Sequence, residues 1–134
     1  MKTYLDSGVL LAAWKGNSPR SVAARKVLED ESREFCTSDA VKLELLPKPT
    51  FEKRRAEIEF YNAYFSDAAD SEPLSAEWGR EALALARKFG LASVDALHLA
   101  SAIRQGADEF ITSEMPGKPM FRVAGIKVIS LHAL

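Results

Sequence analysis

The stretch that most constrains this chain is residues 90–114, Gly-Leu-Ala-Ser-Val-Asp-Ala-Leu-His-Leu-Ala-Ser-Ala-Ile-Arg-Gln-Gly-Ala-Asp-Glu-Phe-Ile-Thr-Ser-Glu. It predicts a helix, a tight stop and a strand, with a carboxylate at each end. Ser93 is placed to cap the helix. Asp95 then falls in the first turn, where the partial positive charge of a helix amino terminus favours an acid. Ala96, Leu97, Ala100 and Ile103 form one apolar face, with side chains small enough for close packing. Gly106 supplies a left-handed stop. Phe110-Ile111-Thr112 reads as a buried strand, and Glu114 sits just past its carboxyl end. Open α/β sheets bind ligands at that end.

The rest of the chain repeats this alternation. Thr3-Tyr4-Leu5 predicts a first strand, and Asp6 stands at its junction with a short helix over residues 9–14. Ser18 and Pro19 mark the start of a second helix, running to about Glu31. Residues 34–37 form a weak strand candidate. Ser38 is expected to cap a helix carrying Val41, Leu43, Glu44, Leu45 and Leu46, which Pro47 and Pro49 should stop. Thr50 is expected to open an amphipathic helix on Phe51, Ile58, Tyr61 and Phe65, with Lys53, Arg54 and Arg55 opposite. A polar loop that can hold a short strand follows over residues 67–73. Ser75 caps a helix ending at Phe89 and Gly90, and residues 127–131 predict a last strand. Short strands alternating with helices imply one parallel three-layer α/β domain spanning residues 1–134.

Asp6, Asp95 and Glu114 share a placement at element ends on the expected ligand edge. Glu44 interrupts a run of leucines, where an unpaired carboxylate is costly to bury. Carboxylates crowded into a cleft raise one another's pKa, and a hard divalent cation such as Mg²⁺ or Mn²⁺ resolves that conflict. Such an ion also suits phosphoryl chemistry. Composition sets limits on the partner: the formal net charge is −1, so no overall basic field attracts a polyanion. Nucleic acid would have to be held by local basic patches or through metal. The single Cys36 excludes an internal disulfide. No apolar run approaches membrane-spanning length, and the first residues lack signal-peptide character. The expectation is a cytoplasmic protein without a membrane partner.

Four segments carry a resemblance. Leu5-Asp6-Ser7-Gly-Val-Leu-Leu, Glu44 after an apolar helix start, Ser93-Val94-Asp95-Ala-Leu-His98-Leu-Ala, and Gly106-Ala-Asp-Glu-Phe-Ile-Thr112-Ser113-Glu114 resemble PIN-domain nucleases. Within that family they look most like the VapC-type toxins of bacterial toxin–antitoxin pairs. The resemblance covers nearly the whole chain. It implies a PIN-like α/β/α domain with a mainly parallel, roughly five-stranded sheet, and Mg²⁺- or Mn²⁺-dependent cleavage of RNA to a 5′-phosphate and a 3′-hydroxyl. Asp6, Glu44 and Asp95 match the family's three main acids. Thr112 matches the threonine that orders the fourth corner, and Ser7 the small hydroxyl after the first acid. Glu114 is a departure, standing where the family usually has an aspartate. The resemblance further implies a small antitoxin protein as partner, and often a homodimer.

Other readings stand beside these. A PIN fold that binds nucleic acid or protein without cutting is the alternative, and the Glu114 substitution leans that way. A phosphoacceptor receiver domain requires an acid pair after the first strand, and Asp6 stands alone there. Lys48, Lys53, Arg54 and Arg55 form a candidate RNA-backbone approach, set against the plainer reading of a solvated face. Tyr61, Tyr64 and Phe65 suggest a dimer surface. Asp39 and Asp108 read as a helix-start charge and a turn residue. His98 reads as a packed, hydrogen-bonded histidine, and no spacing links it to His132 as a zinc site. Cys36 reads as a small buried hydrophobe, and Trp14 and Trp78 as core or interface residues.

Overall fold

The computed structural model describes residues 1–134. Five short strands, β1 (Lys2–Leu5), β2 (Glu34–Ser38), β3 (Asp70–Glu72), β4 (Glu109–Thr112) and β5 (Lys127–Ser130), make one sheet in the order β3-β2-β1-β4-β5. Every pairing is parallel, so the sheet is wholly rather than mainly parallel. Tyr4 lies opposite Cys36 on one side and Phe110 on the other. Parallel neighbours need long crossovers. The first is filled by α1 (Ser7–Trp14) and α2 (Pro19–Glu29), and the second by α3 (Asp39–Leu45), α4 (Pro47–Phe51) and α5 (Arg55–Asp67). The third, α6 (Ala76–Phe89) and α7 (Ser93–Arg104), returns across the sheet to β4. Right-handed crossovers therefore put α1–α5 on one face and α6–α7 on the other. The strand order reverses between β1 and β4, and a crevice opens beyond their carboxyl ends.

Local chemistry explains most element boundaries. Ser18 Oγ accepts from the Ser21 N–H at 3.1 Å and Pro19 opens α2, while Ser75 Oγ accepts from the Trp78 N–H at 3.1 Å to open α6. Gly90 ends α6 at φ 69°, a left-handed conformation that costs glycine nothing. Three expectations fail. Ala92, not Ser93, is the N-cap of α7. Ser38 precedes α3 without capping it, because its hydroxyl is bound to Tyr4 Oη at 2.7 Å. Pro47 does not simply stop a helix: its missing N–H is harmless at a first helical position, so it opens α4. The amphipathic helix accordingly begins at Arg55, and Phe51 is left 87% exposed outside it.

The main core packs Tyr4, Leu5, Leu10, Leu99, Phe110 and Ile111 around the central strands. A second cluster, Ala40, Trp78, Ala82, Ala96 and Ala100, lets α6 and α7 approach closely, and Trp78 Nε1 donates to Leu97 O at 2.9 Å. Tyr61 and Tyr64 are buried in the main core and cannot serve as a dimer surface. Cys36 is buried and free, as expected. Trp14 is partly exposed and tilts against Phe60. No helix is long and apolar enough to cross a membrane.

Candidate acidic active site

The site is built outward from the end of β1. The Asp6 N–H donates to Ile111 O at 3.1 Å, so the chain stays stitched to β4 as it leaves the sheet. Asp6 is the N-cap of α1, and its Oδ1 accepts from the Val9 N–H at 3.1 Å. Its Oδ2 accepts from Thr112 Oγ1 at 2.5 Å. Thr112 Oγ1 in turn accepts from the Glu114 N–H at 3.0 Å, and Ser130 Oγ donates to Glu114 O at 2.6 Å. The turn after β4 is thus assembled around Asp6. Gly8 lets Ser113 pack against this turn, since a Cβ there would lie 2.1 Å from Ser113 Oγ and 3.1 Å from its Cβ and would force that side chain to move.

Glu44 arrives from the last turn of α3 and is held from two sides. Its Oε1 accepts from Ser7 Oγ at 2.6 Å and lies 2.5 Å from His98 Nε2. His98 Nδ1 is 2.9 Å from Tyr4 Oη, which itself meets Ser38. A proton on Nε2 donates to Glu44 Oε1, and the chain of hydrogen bonds continues from Nδ1 through Tyr4 Oη to Ser38 Oγ. His98 is therefore packed and hydrogen-bonded, as the sequence reading held, but its partner is a candidate site acid. It lies one turn beyond Asp95, on the same helix face. That spacing was the available signal for its involvement.

Asp95 occupies the first turn of α7. Burial raises its pKa, and the charges of Glu114 and Glu44 raise it further. Burial also pushes Asp6 up to about 6, outweighing its bonds from Thr112 and Val9 and the nearby His98. Glu44 is held below the usual carboxylate range: half-burial opposes this, but the hydrogen bonds from His98 and Ser7 prevail. Asp6, Glu44, Asp95 and Glu114 thus gather at the carboxyl ends of β1 and β4, and none has a lysine or arginine partner. The sequence pattern of the PIN domain matches residues 3–114, a span that holds all four acids.

The chain belongs to the PIN domain family.

Solved PIN-fold structures align with it over nearly their full length. VapBC2 from Rickettsia felis, bound to a DNA fragment from its promoter, is 15% identical with a TM-score of 0.71, covering 97% of this chain and 98% of that one. A toxin–antitoxin complex from Klebsiella pneumoniae is 19% identical with a TM-score of 0.72, covering 96% and 97%. VapC20 from Mycobacterium tuberculosis, described as a Sarcin-Ricin loop cleaving toxin, is 16% identical with a TM-score of 0.61, covering 94% and 98%. At these identities the likeness establishes the fold. No curated protein matches the chain by sequence.

The donor chemistry of the PIN site suits a hard divalent ion, because every acid offers carboxylate oxygen. Burial raises the Asp6 pKa, while burial and then the charges of Glu114 and Glu44 raise that of Asp95, and a bound cation would relieve both. No three of the molecule's acidic, histidine or cysteine side chains enclose a ready-made metal cage. Mg²⁺ does not require one: it retains several waters and is commonly held by one or two carboxylates together with substrate phosphate.

The candidate RNA-approach residues fare unevenly. Arg54 is engaged by Glu52 at 3.2 Å and Glu57 at 3.3 Å. Lys53 sits in a left-handed turn at φ 58°, and it and Arg55 border a cleft to which none of the four acids contributes. Lys48 is exposed on α4. Asp39 and Asp108 have structural duties, accepting from the Leu74 N–H at 3.0 Å and the Lys2 N–H at 2.7 Å.

Proposed function

We propose that this PIN domain is a divalent-metal-dependent endoribonuclease and the toxin of a type II toxin–antitoxin pair. The observation that carries this reading is the gathering of Asp6, Glu44, Asp95 and Glu114 at the sheet's switch point with no lysine or arginine to neutralise them, His98 meeting Glu44 alone. Purely structural acids at such burial are normally paired.

Asp6 and Asp95 would hold Mg²⁺ or Mn²⁺, with Glu44 beside them and Glu114 extending the cluster. When bound, the ion supplies a Lewis acid for the scissile phosphate and a counter-charge for the acids. Thr112 and the Val9 N–H fix the Asp6 carboxylate, so its oxygens are aligned before RNA arrives. Ser7 and His98 both bind Glu44 Oε1, which leaves Oε2 as the oxygen that orients the attacking water and takes up its proton. Hydrolysis on this scheme leaves a 5′-phosphate and a 3′-hydroxyl.

A protein partner has an apolar surface to bind. Leu43, Phe51 and Leu74 are all exposed, and together with Leu46 and Pro47 they border one cleft on α3 and α4. This supports a small antitoxin or a second copy of the chain as partner.

The test is cleavage of structured RNA with Mn²⁺ by the wild-type protein beside Asp6→Asn and Asp95→Asn. Wild-type cutting that falls more than about 100-fold in each variant is the expected result, since even outer-shell changes at metal sites typically cost 10–100-fold. Cutting that survives both substitutions, or a wild-type protein that cuts nothing, removes the proposal.

A further inference from the structure

Beside the acids lies a basic cleft that nothing so far uses. A cleft of about 450 Å³ runs along α1 from Gly8 and Ser113, at the rim of the acids, to the α1–α2 turn, where Lys15, Asn17 and Arg20 border it. Lys15 and Arg20 take part in none of the molecule's ion pairs, although 28% of the chain is charged. Their backbone is nevertheless fixed. Arg25 Nη1 donates to Ala13 O at 3.2 Å and to Gly16 O at 3.0 Å, and the buried Ser21 Oγ donates to Lys15 O. One arginine is thus used to lock the turn while two cations beside it are left to solvent. Helix α1 has eight residues, so Lys15 at its carboxyl end stands about 13 Å along its axis from Asp6, and Arg20 borders the same cleft from α2. The basic residues around α4 and α5 differ, since Arg54 is neutralised and the Lys53–Arg55 cleft has no wall residue next to one of the four acids in the chain, whereas Gly8 and Ser113 stand beside Asp6 and Glu114.

From this continuity we infer that Lys15 and Arg20 form a backbone-phosphate subsite for single-stranded RNA, seating a phosphate away from the scissile one and setting the direction in which the strand crosses the acids. The inference rests on the nuclease reading. A strand crossing four carboxylates is repelled until cations hold it, and two unneutralised side chains in a cleft that ends at Gly8 and Ser113, beside Asp6 and Glu114, supply that hold without reading sequence. The subsite acts on binding and not on bond breaking.

The test uses a single-stranded RNA oligonucleotide that the wild-type protein cuts at one position, with kinetics measured across a salt series. Lys15→Ala and Arg20→Ala should each raise KM a few-fold, as expected for exposed charge contacts, and leave kcat unchanged. The Lys15→Ala, Arg20→Ala double variant should also lower the salt slope of kcat/KM by about 0.7, the loss of one phosphate contact on a single strand. Lys53→Ala and Arg55→Ala are the controls and should change neither. A neutral methylphosphonate placed in turn at the first few phosphates either side of the cut should reproduce the defect at one position in wild-type enzyme. It should add nothing in the Lys15→Ala, Arg20→Ala double variant. Wild-type KM and salt slope in the double variant and in Lys15→Glu overturn the subsite while leaving the nuclease reading intact. So does a defect confined to binding an acidic protein. Failure of the wild-type protein to cut any RNA removes both together.

Discussion

The two ends of the central sheet treat buried acids in opposite ways. At the amino end Glu109, 4% exposed, accepts from Arg33 Nε at 2.7 Å and from Thr3 Oγ1 at 2.8 Å, and Arg33 also reaches Asp30 at 2.7 Å. At the carboxyl end Asp6, 7% exposed, meets a hydroxyl and a backbone N–H but no cation. The two acids are almost equally buried, Glu109 on β4 and Asp6 just past the end of β1. One is neutralised by an arginine, and the other has no lysine or arginine partner. Acid burial by itself therefore does not separate the two ends; the missing counter-charge does.

Substitution should split the two ends by sign. Arg33→Ala, which strands Glu109, should destabilise the protein by about 3 kcal/mol in urea unfolding, the low end for breaking a buried pair, and leave RNA cleavage intact. Asp6→Asn should do the reverse. The Asp6 carboxyl has its pKa raised from 3.8 to about 6, so the folded state holds a proton that the unfolded chain releases. That contribution to stability is complete below about pH 4 and is lost as pH rises through 6, a change on the order of 3 kcal/mol. In metal-free buffer Asp6→Asn should therefore unfold later than wild type at pH 8, and no later at pH 4. Added Mg²⁺ should stabilise wild type at pH 8 and have little effect on the variant. A variant less stable than wild type at pH 8 would show that the carboxyl end is neutralised after all.

Smaller effects sharpen the same contrast. Ser7→Ala removes one of the two donors aligning Glu44, and should lower kcat about tenfold with unfolding unchanged within about 0.5 kcal/mol. An equal fall in stability would make Ser7 a packing residue instead. Glu114→Gln should have the mildest consequence, a few-fold loss of rate, because this acid is exposed and its fixed contacts run through its backbone rather than its carboxylate. Loss comparable to Asp95→Asn would place Glu114 among the principal acids.

Much of the architecture was legible because its signals are local. Ser18-Pro19, Ser75 and Gly90 act within one turn of the chain, and they open or close helices as their chemistry dictates. The misreadings have non-local causes. Ser38 looks like a cap until Tyr4, from another strand, takes its hydroxyl. Tyr61 and Tyr64 look like surface aromatics until the fold closes over them. Asp6, Asp95 and Glu114 could be singled out because each sits at an element end on the ligand edge, and Glu44 because it interrupts a run of leucines. The support of Glu44 could not, since His98 and Ser7 lie 54 and 37 positions away in the chain. Only a folded molecule brings those donors to one oxygen.

Asp6 holds the first turn of α1 with the same carboxylate that faces the pocket. On the proposed reading chemistry and architecture share one side chain, so drift at this position is narrowed to residues that cap a helix as aspartate does, asparagine above all. A lineage shedding such an activity would be expected to keep a capping side chain at residue 6 while residues 95 and 114 change freely. An intact Asp6 in a divergent sequence is therefore poor testimony that the protein still cuts.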